Sequence, residues 1–409
     1  MSDLHAQTVA FARDTMLPPA PPPAGEGGAW RWVRRNLLTG PLNVVLTLLA
    51  LWLLWVALRD VVPWAWRGIW RADNVSQCRA IRDELYGPGV PAACWAVLTE
   101  RWRQLVFGFY PAAGIWRPVL ALLVFLLAVM PVLFNGLPKR LLWLSAAAPF
   151  LIFWLIWGGS LWGPVAAGGG FVAAGLAFVL AERAGGRLLA VLAAVGAALL
   201  FWAFLDEPLT RALAGVLPIS LPAVRSADIG GFTLSTIIGL SGITLSLPLG
   251  VLLALARRSE MLIISKLAVA YIETIRGVPL IVWLFVAQLI LNYFLPRDAA
   301  WKPDLVLRVI IMVTLFSAAY IAEVVRGGLA AVPKGQVEAA DAMGLDYWQA
   351  MRLIVLPQAL RISIPGIVNS FIGLFKDTTL VSIISMFDPI RIASTIRATT
   401  DWGGIYWEL

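Results

Sequence analysis

Histidine is almost missing from this chain: His5 is the single one among 409 residues, and cysteine is limited to Cys78 and Cys94. With so few nitrogen and sulfur ligands there is nothing to hold a zinc or haem centre, and no imidazole for a buried catalytic relay. Charged side chains are scarce too, at 14%, where ordinary soluble domains carry about 25%. With 60% of residues hydrophobic, that scarcity excludes a water-soluble globule. The chain also lacks a glycine-rich Gly-Lys-Ser/Thr loop of the kind that cradles nucleotide phosphates. Its net charge of +8 comes from scattered Lys and Arg, and in so apolar a chain the excess orients membrane helices rather than binding nucleic acid.

Long apolar runs fill the space these absences leave. A bilayer core takes about 20 helical residues, because every backbone polar group must be bonded within its own segment. Candidate spans are Leu42–Leu58, Pro118–Phe134, Leu141–Trp157, Gly163–Ala181, Leu188–Leu205, Phe232–Ala256, Val278–Leu295, Val306–Val324 and Ile362–Phe387. The expected fold is therefore all-α, a polytopic membrane helix bundle. Residues 1–36 include the Pro-rich stretch LPPAPPPAGEGG (Leu17 to Gly28) and are expected to form a disordered arm. Arg31, Arg34 and Arg35, just ahead of the first run, place that arm in the cytosol. Alternation from there puts Lys139, Arg140, Arg183, Arg187, Arg257, Arg258 and Lys266 on the cytosolic side, as the bias of short loops requires.

Residues 59–117 then form a periplasmic loop with eight arginines among acids, long enough to escape that bias. Its Trp64, Trp66, Trp70, Trp95, Trp102 and Trp116 suit short helices lying at headgroup level. Cys78 and Cys94 lie in the same loop and would face an oxidising compartment. A bridge there, closing about 17 residues, would contribute roughly 3 kcal/mol through loop entropy; two unpaired buried thiols are the alternative. Residues 206–231, with Pro208, Pro218 and Pro222, read as a periplasmic linker. They separate a bland apolar extension, 37–205, from a second half carrying most of the placed polar residues.

Ionisable groups inside membrane spans are expensive and mark function or pairing. Lys376 and Asp377 fall within the Ile362–Phe387 span, adjacent and so on different sides of a helix. They line a translocation path or pair with groups elsewhere to fix packing. Glu273-Thr-Ile-Arg276-Gly277 and Glu323-Val-Val-Arg326-Gly327 repeat one spacing at two helix ends, and crossed Glu–Arg pairs between them would act as a gate or a brace. Between 327 and 361 the apolar pattern gives way to VPKGQVEAADAMGLDYWQAMRLIVLPQALR. Val337 to Ala340 suits a short helix, Gly344 a sharp turn, and Tyr347 to Leu356 an amphipathic helix before Pro357. Such an elbow is a docking knob for a grooved partner, or else an interfacial pair resting on the bilayer through Met351, Leu353 and Ile354. Gly239-Leu240-Ser241-Gly242 has the look of an intramembrane serine protease, but the one histidine lies in the arm and cannot activate Ser241. An ion-coupled carrier would also explain Lys376 and Asp377, yet needs no bent docking helix.

At the elbow, Glu338-Ala339-Ala340, three residues, Gly344, nine residues, Ile354, one residue and Leu356-Pro357 resemble the EAA loop of bacterial ATP-binding-cassette importer permeases. YIETIRGVPLIVWLF (Tyr271 to Phe285), AYIAEVVRGGLAAVPKGQVEAA (Ala319 to Ala340) and FKDTTLVSIISMFD (Phe375 to Asp388) resemble their polar amino acid branch. The likeness covers roughly Ile229 to Leu409, and the long preceding half is similar to the larger permease subunit of general L-amino acid importers. The resemblance implies a type I importer permease core over 232–409, preceded by extra membrane helices, with the coupling loop at 327–361. It implies an inner-membrane location, a second homologous permease, two ATPase subunits and a periplasmic amino-acid-binding protein as partners. ATP would be held by the ATPases, with no cofactor on this chain. Glu338, Ala339, Ala340, Gly344 and Pro357 become coupling residues; Glu273, Arg276, Glu323, Arg326, Lys376 and Asp377 become path or gate residues. It also implies a further spanning helix beyond Trp407-Glu408-Leu409.

Overall fold

The computed structural model describes residues 28–134, 136–294 and 303–409; most of the Pro-rich arm lies outside them. Among the described residues the secondary structure is helical apart from a two-residue antiparallel pairing, Gly159–Ser160 with Ser220–Leu221, and an isolated bridge between Gly108 and Ile229. Eight helices are long and apolar enough to cross a membrane, or nine if one bent pair is a single span.

Residues up to Ala72, with Ser76–Trp95, form one compact unit. It holds α1 (Ala29–Asn36), α2 (Pro41–Trp66) and nearly all of α3 (Val75–Tyr86). Pro41 opens α2 where the missing N–H costs nothing. After α2 the chain folds back on itself. The Ala93 carbonyl accepts from the Ile69 N–H at 2.8 Å, and the Ala93 N–H donates to the Trp64 carbonyl at 2.9 Å. The Trp95 indole donates to the Ala65 carbonyl, with the Trp64 ring edge-on at 5.5 Å. Cys78 and Cys94 are bonded to each other and buried. Trp64 and Trp95 thus pack on one another, while Trp66 and Trp70 are exposed.

The second unit comprises 73–75 and 96–409. It begins with α4 (Ala96–Phe107), then α5 (Trp116–Leu133) packed on α6 (Leu142–Trp157). Next come α7 (Trp162–Leu200), which breaks at Gly186, and α8 (Asp206–Val216) beyond a π turn. The stretch expected as a linker therefore starts as helix, and extended chain begins near Leu217. Arg117, almost fully buried at the start of α5, joins this region together. Its Nε donates to the Leu155 carbonyl at 2.6 Å and its Nη atoms to Pro222 and Ile156 carbonyls at 2.9 and 3.4 Å. The Tyr110 hydroxyl also donates to Ile156 at 2.8 Å, and burial raises its pKa, partly offset by Arg117.

The remaining helices are α9 (Gly231–Arg257), α10 (Leu262–Gly277), α11 (Leu280–Phe285), α12 (Leu291–Phe294), α13 (Leu305–Ala331), α14 (Lys334–Ala342), α15 (Tyr347–Ala350), α16 (Leu356–Asp377) and α17 (Pro389–Arg397). α13 is central, packed on α9, α10 and α16. Small residues set those approaches: Gly250, Ala318 and Ala322 between α9 and α13, Gly328, Ala359 and Ser363 between α13 and α16. Any side chain at Gly328 would overlap Ser363 and the Ala359 carbonyl.

Two spans differ from their sequence expectation. Val278–Leu295 is not one helix: α10 and the segment from Leu280 to Ile290 meet at 99°. Pro279 removes an N–H and forces Val278 into extended backbone, φ −118 and ψ 132. Ile362–Phe387 ends early, because α16 stops at Asp377, tightens through a 3₁₀ turn to Ser382, and turns at Ser385, φ 67. The far end of the bundle from α14 is tied across α4 and α9. The Thr233 hydroxyl donates to the Val106 carbonyl, the Gly231 N–H to the Phe387 carbonyl, and the Phe109 N–H to the Asp228 carbonyl. Gly108 and Gly230 lie backbone to backbone there, with no room for a Cβ on Gly108.

Candidate functional site

The elbow is built from strong local signals. α14 ends in a Schellman arrangement: the Gly344 N–H donates to the Asp341 carbonyl at 2.9 Å and the Leu345 N–H to Ala340 at 3.1 Å. Gly344 takes φ +74, which a side chain would strain. Asp346 then caps α15 reciprocally with Gln349, each bonding the other's backbone N–H. A π turn over Met351–Val355 leads into α16, with Pro357 in its first turn. Ala340 is fully buried against the bundle, while Glu338, Ala339 and Gly344 face outward. The Gln358 side-chain amide donates to Gln336 across the elbow at 3.1 Å. Of the three apolar residues noted in sequence for an interfacial helix, Met351 is buried and Leu353 exposed. Met343, Tyr347 and Trp348, not singled out there, are exposed beside it.

Glu323 and Arg326 lie on α13, Glu273 and Arg276 on α10, close to the same end. They meet, though not as crossed pairs alone. Arg257, at the end of α9, donates from one Nη to Glu323 at 2.6 Å and to Glu273 at 3.0 Å. Arg326 holds the other Glu323 oxygen at 3.0 Å, one turn along the same helix. Arg276 reaches that oxygen at 3.8 Å and lies over the Tyr320 ring. Glu323 is thus the shared acceptor for three guanidinium groups from three helices, and its side chain is only 16% exposed. Arg257 was read in sequence only as a topological charge. Its place in the last turn of an otherwise apolar helix was the available signal.

Lys376 and Asp377 sit elsewhere. They end α16 about 21 Å along the axis from Ser363, which bonds the Val324 carbonyl near the network. Among the described residues neither forms an ion pair, so the reading of a packing pair finds no partner among them. The Lys376 carbonyl accepts from Thr379, and the lysine's charge complements the helix C-terminus. A second cation, Arg308, is buried and bonds the Ala287 and Gln288 carbonyls, while Gln288 donates to Ile384. Asp388 is fully buried as the cap of α17, one oxygen bonding the Arg391 N–H and the other unpartnered. Burial raises its pKa, partly countered by that backbone bond. No group of His, Cys, Asp or Glu among the described residues could hold a metal.

The described residues thus form a multi-pass helical bundle with a bent, exposed elbow between its last long helices. Residues 246–408 match the family described as binding-protein-dependent transport system inner membrane component. The chain belongs to that family, and within it is an amino acid ABC transporter permease of the inner membrane. It is 51% identical over 401 residues to the glutamate/glutamine/aspartate/asparagine transport system permease protein BztC of Rhodobacter capsulatus, covering 98% of this chain and 92% of that one. To the inner membrane amino-acid ABC transporter permease protein YhdY of Escherichia coli it is 36% identical over 401 residues, 96% and 89% of the two chains. A solved structure, an amino acid ABC transporter with histidines, is 32% identical over 41% of this chain and 76% of its own, with TM-score 0.37.

Proposed function

We propose that this chain is one of two homologous permeases in an ATP-driven importer carrying L-amino acids from periplasm to cytoplasm. The relatives' names favour acidic amino acids and their amides as cargo. The extension, residues 37–205, precedes a permease core over 232–409. The N-terminus lies in the cytosol, and the chain itself binds no cofactor and hydrolyses no ATP. Two ATPase subunits hold the nucleotide, and a periplasmic binding protein delivers substrate to the far end. The observation that carries this reading is the elbow: a short helix stopped by a left-handed glycine, with Glu338 and Ala339 outward and Ala340 anchoring it.

In this role Ala339 permits close approach, Glu338 meets a basic group on the ATPase, and Gly344 and Pro357 set the bend. Closure of the ATPases draws the elbows together, and the three-helix network at Glu323 transmits that movement to α10 and α13. Lys376 and Asp377, without an ion-pair partner among the described residues, face the second permease at the path. The assembled transporter in vesicles tests this. Gly344→Val should leave ATP hydrolysis standing while ATP-dependent glutamate uptake falls at least about tenfold, a cost of roughly 1.4 kcal/mol in coupling. Undiminished uptake removes the elbow's role, and uptake driven by an ion gradient without ATP overturns the whole reading.

A further inference from the structure

A cavity of about 660 Å³ opens at the elbow end, between the last turns of α9 and α13 and the start of α14. Its walls are of two kinds. Ala254, Leu329 and Val355 give a buried apolar floor. The polar residues around it are Arg257, Arg258, Arg326 and Lys334, against one acid, Glu338. Arg257 and Arg326 are already engaged by Glu323, as described above. Arg258 and Lys334 are not: Arg258 has a single contact, to the Leu329 carbonyl at the 3.5 Å limit, and Lys334 has no partner among the described residues. Lys334 also opens α14, whose first backbone N–H groups have no side-chain cap, so the positive end of that helix adds to the same rim.

Arg258 and Lys334, in no ion pair among the described residues and outnumbering with Arg257 and Arg326 the one acid, stand over an apolar floor and form a receptor for a group that is anionic on one side and apolar on the other. The cavity stands where the apolar helices α9 and α13 end; the ends of membrane-spanning helices lie at headgroup depth. Basic pockets at that depth take phosphate headgroups. We propose that Arg258, Lys334 and the start of α14 bind a phosphate-bearing anion, supplied by an acidic phospholipid whose chain covers the apolar floor. Because Lys334 belongs to the elbow and Arg258 to the bundle, the bound phosphate ties one to the other. The inference stands on the cavity and its charges, and needs neither the direction of transport nor the cargo.

The test uses the complete transporter in nanodiscs, with native mass spectrometry counting retained lipid. Phosphatidylglycerol should be retained over phosphatidylcholine, and Arg258→Gln with Lys334→Gln should weaken retention about 30-fold, at about 1 kcal/mol for each charge removed. If free phosphate is the source instead, the protein in phosphatidylcholine alone should melt higher in inorganic phosphate than in chloride, and the double variant should lose that shift. Should the double variant fail to assemble, the unmodified protein decides: the headgroup preference must vanish at roughly 1 M salt, where charges are screened beyond about 3 Å. Equal retention of both lipids with no phosphate shift, or a preference that survives the double variant or the salt, overturns the proposal.

Discussion

α2 and α13 have the same mean hydropathy and nearly the same length, yet the apolar window of α2 has no residue buried and that of α13 is 61% buried. The difference lies in side-chain size. α2 reads LNVVLTLLALWLLWVALRD, broad and large on every face, whereas α13 carries Ser317, Ala318, Ala319, Ala322, Gly327 and Gly328 among its apolar residues. Apolarity says that a helix belongs in lipid. Small residues say that it belongs against other helices, since lipid and leucine are equally apolar and only close backbone approach favours protein neighbours.

That contrast breaks first at Gly328. Gly328→Leu should destabilise the solubilised chain by about 3 kcal/mol or more through forced separation of α13 and α16, while Leu48→Ala in α2 should leave the melting temperature unchanged. Equal effects would end the distinction. The unit containing α2 has a covalent hold instead, so Cys78→Ser with Cys94→Ser should cost it about 3 kcal/mol. Limited proteolysis should then report new cleavage between α2 and α4; an unchanged pattern would count against it.

Within the α13 group the contrast sharpens at two glutamates. Glu323→Gln leaves three guanidinium groups without their shared negative charge and turns an NH2 donor toward them, and should cost about 2–3 kcal/mol. Glu273, 56% exposed, should cost no more than about 0.5 kcal/mol on the same change. Thermal denaturation of the two variants side by side decides whether the network has one centre.

The smallest effect is in pH. The carboxyl of Asp388 has a folded pKa above its ordinary 3.8 because burial disfavours the charge. The folded chain therefore holds that proton more tightly than the unfolded one. This contribution is complete below pH 3.8 and lost as pH rises through the raised value. Asp388→Asn keeps the cap and should flatten that slope in a series of melting temperatures; an unaltered slope assigns it to other groups.

Much of this was legible beforehand, and the failures share a cause. The elbow showed plainly because glycine, proline and capping residues act locally, and Gly344 does in the structure what its position suggests. The spans of the extension showed because hydropathy is a sum over neighbours. α10 did not, because Lys266, Glu273 and Arg276 give it an amphipathic pattern that a search for uniform apolarity passes over. The early stop of α16 was hidden for the opposite reason: Val381, Ile383, Ile384 and Met386 keep the run apolar while Thr378, Thr379 and the left-handed Ser385 end the helix. The network at Glu323 was half visible. The echoed Glu–Arg spacing gave two helix ends, but Arg257 is far from both in sequence and is brought in only by packing.

Arg117 has no carboxylate partner among the described residues; its bonds run to backbone carbonyls of α6 and of the chain before α9. A carbonyl cannot gain a proton at any pH the cell meets, and buried bonds of this kind are shielded from dissolved salt. The Arg117 contacts between α5, α6 and the chain before α9 are thus insensitive to acidity and ionic strength, as the exposed Arg225–Asp228 pair in the same stretch is not.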